Sequence, residues 1–359
     1  MVYQTEILSR APRGAGPGCG RLDGPGPGRL DGPGPGRLDG PRPGRLDGPG
    51  PGRLDNQDGA AGRSMVKPAP FTYHVAHDVA EAVALLTSLG EDAKVLAGGQ
   101  SLVPMMNLRL ARPSALVDIT RIPGLDYLRA GPDGLHVGAL TKHRAVETTR
   151  DPAVLEGFGV LQRSARWIGH YPIRARGTFG GSIAHGDSTA EWCILAVLLG
   201  AQIILAGPGG QRRVGAGDFF EGFFTVAAEP DEVITEVWFP APAPHAALTE
   251  FAPRQGDFAT VAAAVSVDLG DSGAQSNGRP DTGVLRDARI VLGGISPAPF
   301  VVDTASLAGQ PAAHGTWREA GELAAAQIDP PDDENGDARY RRRLTATLVS
   351  RALAEASRP

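Results

Sequence analysis

An α+β fold built in successive parts is what the sequence predicts, and three observations carry the prediction. Helical and strand periodicities alternate through residues 65–240, two loop segments there carry paired glycines, and two long strand candidates followed by two helices close the chain. A proline-rich break, Pro240–His245, separates the alternating part from the closing part.

The first 64 residues differ in kind from the rest. From Gly20 the octapeptide Gly-Arg-Leu-Asp-Gly-Pro-Gly-Pro recurs at Gly28, Gly36 (with Arg42 in place of a glycine) and Gly44, and breaks off after Asp55. Between Ala11 and Ala60, 16 of 50 residues are glycine and 10 are proline. One leucine per repeat cannot build a core, and the glycine and proline content opposes helix and inner strand, so disorder is expected over 1–64. Met65-Val-Lys-Pro-Ala-Pro-Phe reads as a natural start; the expectation is that translation begins physiologically at Met65, which N-terminal sequencing of the native protein checks.

Asp78–Leu89 carries apolar residues at helical spacing, with Asp78 as N-cap and Gly90 as stop. Strands are predicted over Lys94–Ala97 and Ala115–Ile119, with the turn Gly98-Gly99-Gln100-Ser101 and a short helical stretch at Val103–Leu110 between them. Further strands are expected at Gly134–Gly138 and Leu140–Thr141, and a helix over Val154–Ser164. A second glycine loop comes next, then a helix over Ala190–Leu199 and strands at Gln202–Ala206, Gln211–Val214 and Glu232–Phe239. Beyond the break lie strands Val261–Leu269 and Ala288–Leu292, a polar loop Gly270–Gly283, and helices Trp317–Gln327 and Ala338–Ala356. The closing part reads as a sheet with its helices on one side. The division is therefore 1–64, then 65–240 (subdomains about 65–120 and 121–240), then 246–357.

The bulk numbers narrow the function classes. A formal charge of −5 calls for no nucleic-acid or anionic-membrane partner, and residues 1–64 hold nine basic and seven acidic side chains, so the remainder is more acidic still. Two cysteines, Cys19 and Cys193, fall short of the four ligands of an iron–sulfur cluster and fit a reducing, cytoplasmic setting. The longest apolar run, Trp192–Ala206, is interrupted by Gly200 and Gln202 and is shorter than the ~20 residues of a membrane-spanning helix.

Two segments point to chemistry. In Lys94-Val-Leu-Ala-Gly-Gly-Gln-Ser-Leu102 a strand ends in Gly98-Gly99, where backbone can approach a ligand closely and successive amides can form an anion-binding nest. No Gly-Lys-Ser/Thr follows, and the Gly-x-Gly-x-x-Gly spacing is missing, so neither a P-loop nor a dinucleotide fingerprint is present. In Ile173-Arg-Ala-Arg-Gly-Thr-Phe-Gly-Gly-Ser-Ile-Ala-His-Gly-Asp187 a second glycine pair stands between Thr178 and Ser182 and leads to Asp187 and Glu191. Either segment alone is compatible with an ordinary tight turn; two in one chain fit a diphosphate held between neighbouring elements, with a carboxylate at Glu191 for sugar or polyol hydroxyls.

Together these segments resemble the FAD-binding medium subunit of the molybdenum hydroxylases, the family of aerobic carbon monoxide dehydrogenase and xanthine dehydrogenase. The family's Ala-Gly-Gly-x-Ser-Leu loop stands here as Ala97–Leu102, and its Ile-Arg-Asn-x-Gly-Thr-Ile-Gly-Gly-Asn/Ser segment as Ile173–Ser182. Supporting stretches are Pro104–Leu110, Asp218–Gly222, Pro230–Glu236, Arg254–Ala259 and Val291–Ile295. The resemblance implies an FAD-binding fold of the vanillyl-alcohol-oxidase type in two subdomains, followed by an α+β C-terminal domain. It also implies that the first loop (Leu96, Ala97, Gly98, Gly99, Gln100, Ser101, Leu102) wraps the FAD pyrophosphate. Gly177, Thr178, Gly180, Gly181, Ser182, Ala184 and Asp187 then belong to the second FAD-contacting segment, Ile168 and Gly169 lie against the cofactor, Glu191 takes ribose or ribityl hydroxyls, and Ile234 packs at the adenine or flavin wall. The chain departs from the family at Ala175 and Phe179. Phe223, Phe224 and Thr249 stand where some members place Lys or Tyr, with Tyr171 as a candidate substitute.

Competing constellations are weaker. Gly270-Asp-Ser-Gly273 imitates a serine-protease nucleophile segment without a histidine–aspartate arrangement. His74-x-x-His77 has no third ligand, His185 and Asp187 fit flavin contact or local hydrogen bonding better than a metal, and Arg339–Arg343 reads as a solvated helix face. The reading is thus an FAD electron-transfer subunit, with no catalytic acid, base or metal ligand of its own. It passes electrons from the clusters of an iron–sulfur small subunit, fed by a molybdenum-cofactor large subunit, to an external acceptor, in a dimer of heterotrimers. The alternatives are a free-standing FAD oxidase or dehydrogenase and a cofactor-free scaffold subunit.

Overall fold

The computed structural model describes residues 67–270 and 283–358. The octapeptide repeat, the Met65 start, Cys19 and the Asp271-Ser272 mimic, with the expectations attached to them, lie outside the described residues.

Strand β1 (Thr72–Val75), helix α1 (Val79–Leu89), β2 (Ala93–Leu96), α2 (Leu102–Asn107) and β3 (Ala115–Asp118) come first. Asp78 caps α1 by accepting from the Glu81 amide, and Gly90 ends it at φ +80°, a left-handed-side conformation that favours glycine. The three strands form a parallel sheet ordered β1-β3-β2, and Ala82, Val83 and Leu86 of α1 join Ala93, Ala115 and Val117 in its core. The Tyr73 hydroxyl donates to Asp118 across the β1–β3 pair.

Next come β4 (Leu128–Gly131), β5 (Gly134–Gly138), α3 (His143–Glu147), α4 (Pro152–Ser164), α5 (Tyr171–Arg176), α6 (Phe179–His185) and α7 (Glu191–Leu198). They are followed by β6 (Gln202–Gly207), β7 (Gly210–Gly215), α8 (Ala216–Phe219), β8 (Phe220–Gly222), β9 (Thr225–Val226) and β10 (Val233–Phe239). The main sheet is antiparallel, ordered β4-β5-β10-β6-β7, with a bulge in β10 between Ile234 and Glu236. Every residue from Trp192 to Leu199 is buried, because α7 runs through the middle of the main core rather than along a surface.

The closing part holds β11 (Ala246–Phe251), β12 (Val261–Gly270), β13 (Val284–Gly293), β14 (Phe300–Val301), α9 (His314–Ala326) and α10 (Ala338–Ala356). Its antiparallel sheet, β11-β12-β13-β14, buries both faces. Ala247, Val261, Ala263 and Val265 face α9 and α10, while Ala246, Leu248, Ala262 and Ala264 join the core around α7. That two-sided burial explains the unbroken apolar run at the start of β12. The described residues belong to one compact unit.

Three expectations are corrected. Leu140–Thr141 is not a strand: the Ala139 and Thr141 carbonyls accept from the Gly180 and Phe179 amides, so the second glycine segment takes the bonds a neighbouring strand would have taken. The second glycine segment is not an open loop but two short helices, α5 and α6, broken at Gly177-Thr178. Arg339–Arg343 is not a solvated face throughout. Arg341 is 3% exposed and donates to the Thr260 carbonyl at 2.6 Å, the Gly294 carbonyl at 2.7 Å and the Asp333 carboxylate at 2.5 Å. It staples α10 to the ends of β12 and β13, a role that only the packed structure creates.

Candidate flavin site

The first glycine segment leaves β2 at Leu96, turns through Ala97–Ser101 and enters α2 at Leu102. Among the described residues, no partner is found for the backbone N–H groups of Gly98, Gly99, Gln100 and Ser101. Four consecutive donors without acceptors are a ready cradle for an anion. Gly99 sits at φ +70°, which turns the chain there, and the Gln100 side chain closes the turn by donating to the Gly98 carbonyl at 3.0 Å. The Ser101 hydroxyl makes no capping bond and is left for other uses.

The second segment spends its amides differently. The Thr178 hydroxyl accepts from the Gly181 amide at 3.2 Å as the N-cap of α6, and the Phe179 and Gly180 amides bond to Thr141 and Ala139. Thr178 is 2% exposed, so the structure puts its side chain inside the fold, while Ser182 and Asp187 are half-buried and Ala184 is exposed. Asp187 accepts from the Thr189 amide and hydroxyl, both at 2.8 Å, and so shapes the entry to α7.

The two segments cross. A Cβ built on Gly98 would lie 2.5 Å from the Arg176 carbonyl oxygen and 2.8 Å from the Gly177 Cα, and one on Gly181 would lie 3.9 Å from the Ala97 Cβ. Beneath the crossing, His143 is buried. Its Nδ1 accepts from the Trp192 indole at 2.9 Å, and a Cβ on Gly177 would meet its Nε2 at 2.6 Å. Burial, aided by the nearby Lys142 and Arg174 charges, pulls the His143 pKa down to about 3, so it supports the crossing as a neutral ring. Lys142 stands at the rim, its Nζ donating to the Arg176 carbonyl at 3.2 Å.

Around this crossing, Gly169 takes φ +47°, and its carbonyl accepts from Arg174 at 2.8 Å. Arg174 is fixed in turn by Glu147 at 2.9 Å. Ile168 is half-buried against the main core, and Ile234 is buried within it beside the β10 bulge. The Gly256 turn reaches Gly169 from the closing part: a Cβ there would lie 3.2 Å from the Gly169 carbonyl carbon. Glu191 begins α7 with its carboxyl enclosed, and burial, with Glu250 beside it, pushes its pKa well above the usual carboxylate range.

The structure separates the other aromatic and hydroxyl candidates. Phe223 and Phe224 form the exposed tip between β8 and β9, with Phe224 at φ +50° and stacked on His185 at 4.8 Å. Thr249 faces the other way and donates to the Leu348 carbonyl of α10 at 2.9 Å. Tyr171 is 60% exposed under the Arg144 guanidinium. His74 bonds to Thr72 and His77 to Glu81, and no described helix is long and apolar enough to cross a membrane. Sequence reasoning expected an amide nest after β2 but missed Glu250 and His143; β11 shows no alternation that would have signalled Glu250.

Comparison with known proteins decides the family of the chain. Residues 69–242 match the family model described as the FAD binding domain in molybdopterin dehydrogenase, and residues 246–356 match the CO dehydrogenase flavoprotein C-terminal domain. The chain belongs to the molybdopterin dehydrogenase flavoprotein family. This flavoprotein is 37% identical to the 6-hydroxypseudooxynicotine dehydrogenase complex subunit alpha of Paenarthrobacter nicotinovorans, over 81% of its own length and 96% of the relative's. It is 35% identical to the carbon monoxide dehydrogenase medium chain of Hydrogenophaga pseudoflava, over 80% and 96%. Among solved structures it superposes on quinoline 2-oxidoreductase from Pseudomonas putida 86 with a TM-score of 0.74, 32% identity and 81% and 98% coverage. The match to Hydrogenophaga pseudoflava carbon monoxide dehydrogenase has a TM-score of 0.72, 36% identity and 80% and 98% coverage. The flavoprotein is an oxidoreductase subunit of the FAD-binding medium type.

The residues at the crossing fit that cofactor. A nucleotide diphosphate needs donors without competing acceptors and backbone it can approach, and the Gly98–Ser101 amides supply both. The carboxyl of Glu191 and the hydroxyl of Ser101 add groups suited to a polyhydroxylated chain.

Proposed function

We propose that this flavoprotein is the electron-transfer subunit of a molybdenum-dependent hydroxylase or dehydrogenase complex. It receives electrons from the clusters of an iron–sulfur small subunit, which a molybdenum-cofactor large subunit reduces, and delivers them to an external acceptor. The observation that carries the reading is the crossing of Gly98 with Arg176-Gly177, beside four amides without acceptors. Bound FAD supplies the ability to take electrons singly and to pass them on singly or in pairs.

The chain's own residues bind and orient. Leu96–Leu102 wraps the pyrophosphate with its free amides and the Ser101 hydroxyl. Gly177, Gly180 and Gly181 keep the second segment flat enough to lie beneath it, and the buried Thr178 holds the helix start that presents Ser182, Ala184 and Asp187. Ile168 and Gly169 form one wall, Ile234 packs behind it, and Glu191 accepts ribose or ribityl hydroxyls. The division of labour falls between residues 65–240, which hold FAD, and 246–357, which close over the site. The setting is cytoplasmic, and the assembly is a dimer of heterotrimers, in line with relatives whose names denote a medium chain and a complex subunit.

The test is expression and flavin reconstitution of the chain. The expected product is yellow and holds close to one FAD per chain by absorbance. A folded, colourless protein that takes up no FAD would falsify the site. Gentle affinity capture from the native host is expected to recover iron–sulfur and molybdenum subunits; a stable flavoprotein that oxidises a small substrate alone and captures neither would overturn the complex.

A further inference from the structure

Glu250 stands out as a polar group with no internal explanation. It lies on β11, paired with Ala262 of β12, and its Oε2 is buried without a hydrogen-bond partner. Its carboxyl acts electrostatically on another acid, Glu191 at the start of α7, with Asp187 also acting on Glu191. β11 reaches α7 through its sheet: its neighbour β12 and the next strand β13 pack on α7, and a Cβ on Gly293 would press against the Ile194 side chain. Burial pushes Glu250 up to about 7. Two acids that act on each other, one with a buried oxygen left unfilled, weaken the fold unless something brings a donor.

Position says what that donor is. Glu191 follows α6, and the Cys193 thiol donates to the Ser182 carbonyl at 3.6 Å, which ties the pair to the second glycine segment. After Phe251 the same chain runs on to Gly256, which lies against Gly169. Glu250 thus sits between two flanks of the flavin site, on a strand from the closing part of the chain.

We propose that Glu250 is a further FAD-positioning residue, which with Glu191 forms a carboxyl pair whose free oxygen accepts a hydrogen bond from a hydroxyl or ring N–H of the bound cofactor. The proposal rests on the flavin-site reading above. It gives the closing part of the chain a direct hand in holding FAD, and it accounts for an acid retained where the empty fold would do better without one.

The test uses the full chain, stripped of flavin and titrated with FAD, with melting of the FAD-free protein measured in parallel. Glu250→Met removes every acceptor and the buried charge. It is expected to melt no lower than the parent without FAD, yet to bind FAD roughly tenfold to a hundredfold more weakly, the range for a bond to a charged group. Glu250→Gln keeps one acceptor and is expected to recover most of the affinity. A Glu250→Met protein that binds FAD as tightly as the parent overturns the proposal, and so does one that loses FAD-free stability, since a residue holding the empty fold together is not waiting for a ligand. Gly98→Val serves as the control. If it loses FAD while Glu250→Met does not, only the role of Glu250 fails; if neither weakens binding, the flavin-site reading fails with it.

Discussion

Gly98→Val is expected to leave the secondary structure intact and to lower FAD affinity by at least about tenfold, so that the purified protein is colourless. The reason is spatial. A Cβ at this position would meet the Arg176 carbonyl oxygen at 2.5 Å and the Gly177 Cα at 2.8 Å, and these are backbone atoms that cannot rotate aside. The crossing must open, and the four free amides of Gly98–Ser101 then lose their alignment. Gly99→Ala is the instructive contrast. Its Cβ would meet only the flexible Leu96 and Val103 side-chain ends at 3.3 Å, and its cost of about 1–2 kcal/mol comes from the φ of +70°. Flavin absorbance per chain, with circular dichroism as the folding control, checks both. Full flavin occupancy in Gly98→Val would sink the claim that the crossing is the site.

The largest expected effect on stability comes from the far end of the molecule. Arg341→Met is expected to destabilise the protein by about 3 kcal/mol, because the Thr260 and Gly294 carbonyls lose a charged donor inside the fold. Asp333 is 41% exposed on its side chain and returns to water, so it adds little to the loss. Loss of that size corresponds to a fall in Tm of roughly 6–10 °C for a chain of this size. Scanning calorimetry reads it directly, and a fall smaller than about 2 °C would show that the two carbonyls find other partners. FAD affinity is expected to change little, since Arg341 acts on the ends of β12 and β13 and not on the glycine crossing.

Much of the fold was legible in the sequence wherever one local force dominated. Asp78 and Gly90 bound α1 as the capping rules require. Gly134–Gly138 and Ala338–Ala356 stand where the periodicity placed them. The elements that went unread, among them β1, β4 and β11, are short strands whose pattern is set by what covers each face. The second glycine segment misled for a related reason. Its Gly-Thr-x-Gly-Gly spacing reads as a loop until Thr141 and Ala139 are seen to supply the acceptors that let α6 begin at Phe179. Arg341 is the same lesson in charge: five residues with four arginines look solvated until one of them meets two inward carbonyls.

The sequence by itself therefore determined the family and its FAD cofactor, through the resemblance of two glycine segments to the family's, because glycine spacing and capping are local properties of the chain. Only the tertiary structure decided that the segments cross at Gly98 and Gly177, that the first offers free amides while the second spends its own, and that Glu250 acts on Glu191. Those three facts depend on contacts between residues far apart in the chain, and burial alone gives an unpaired carboxyl oxygen or a neutral histidine its meaning.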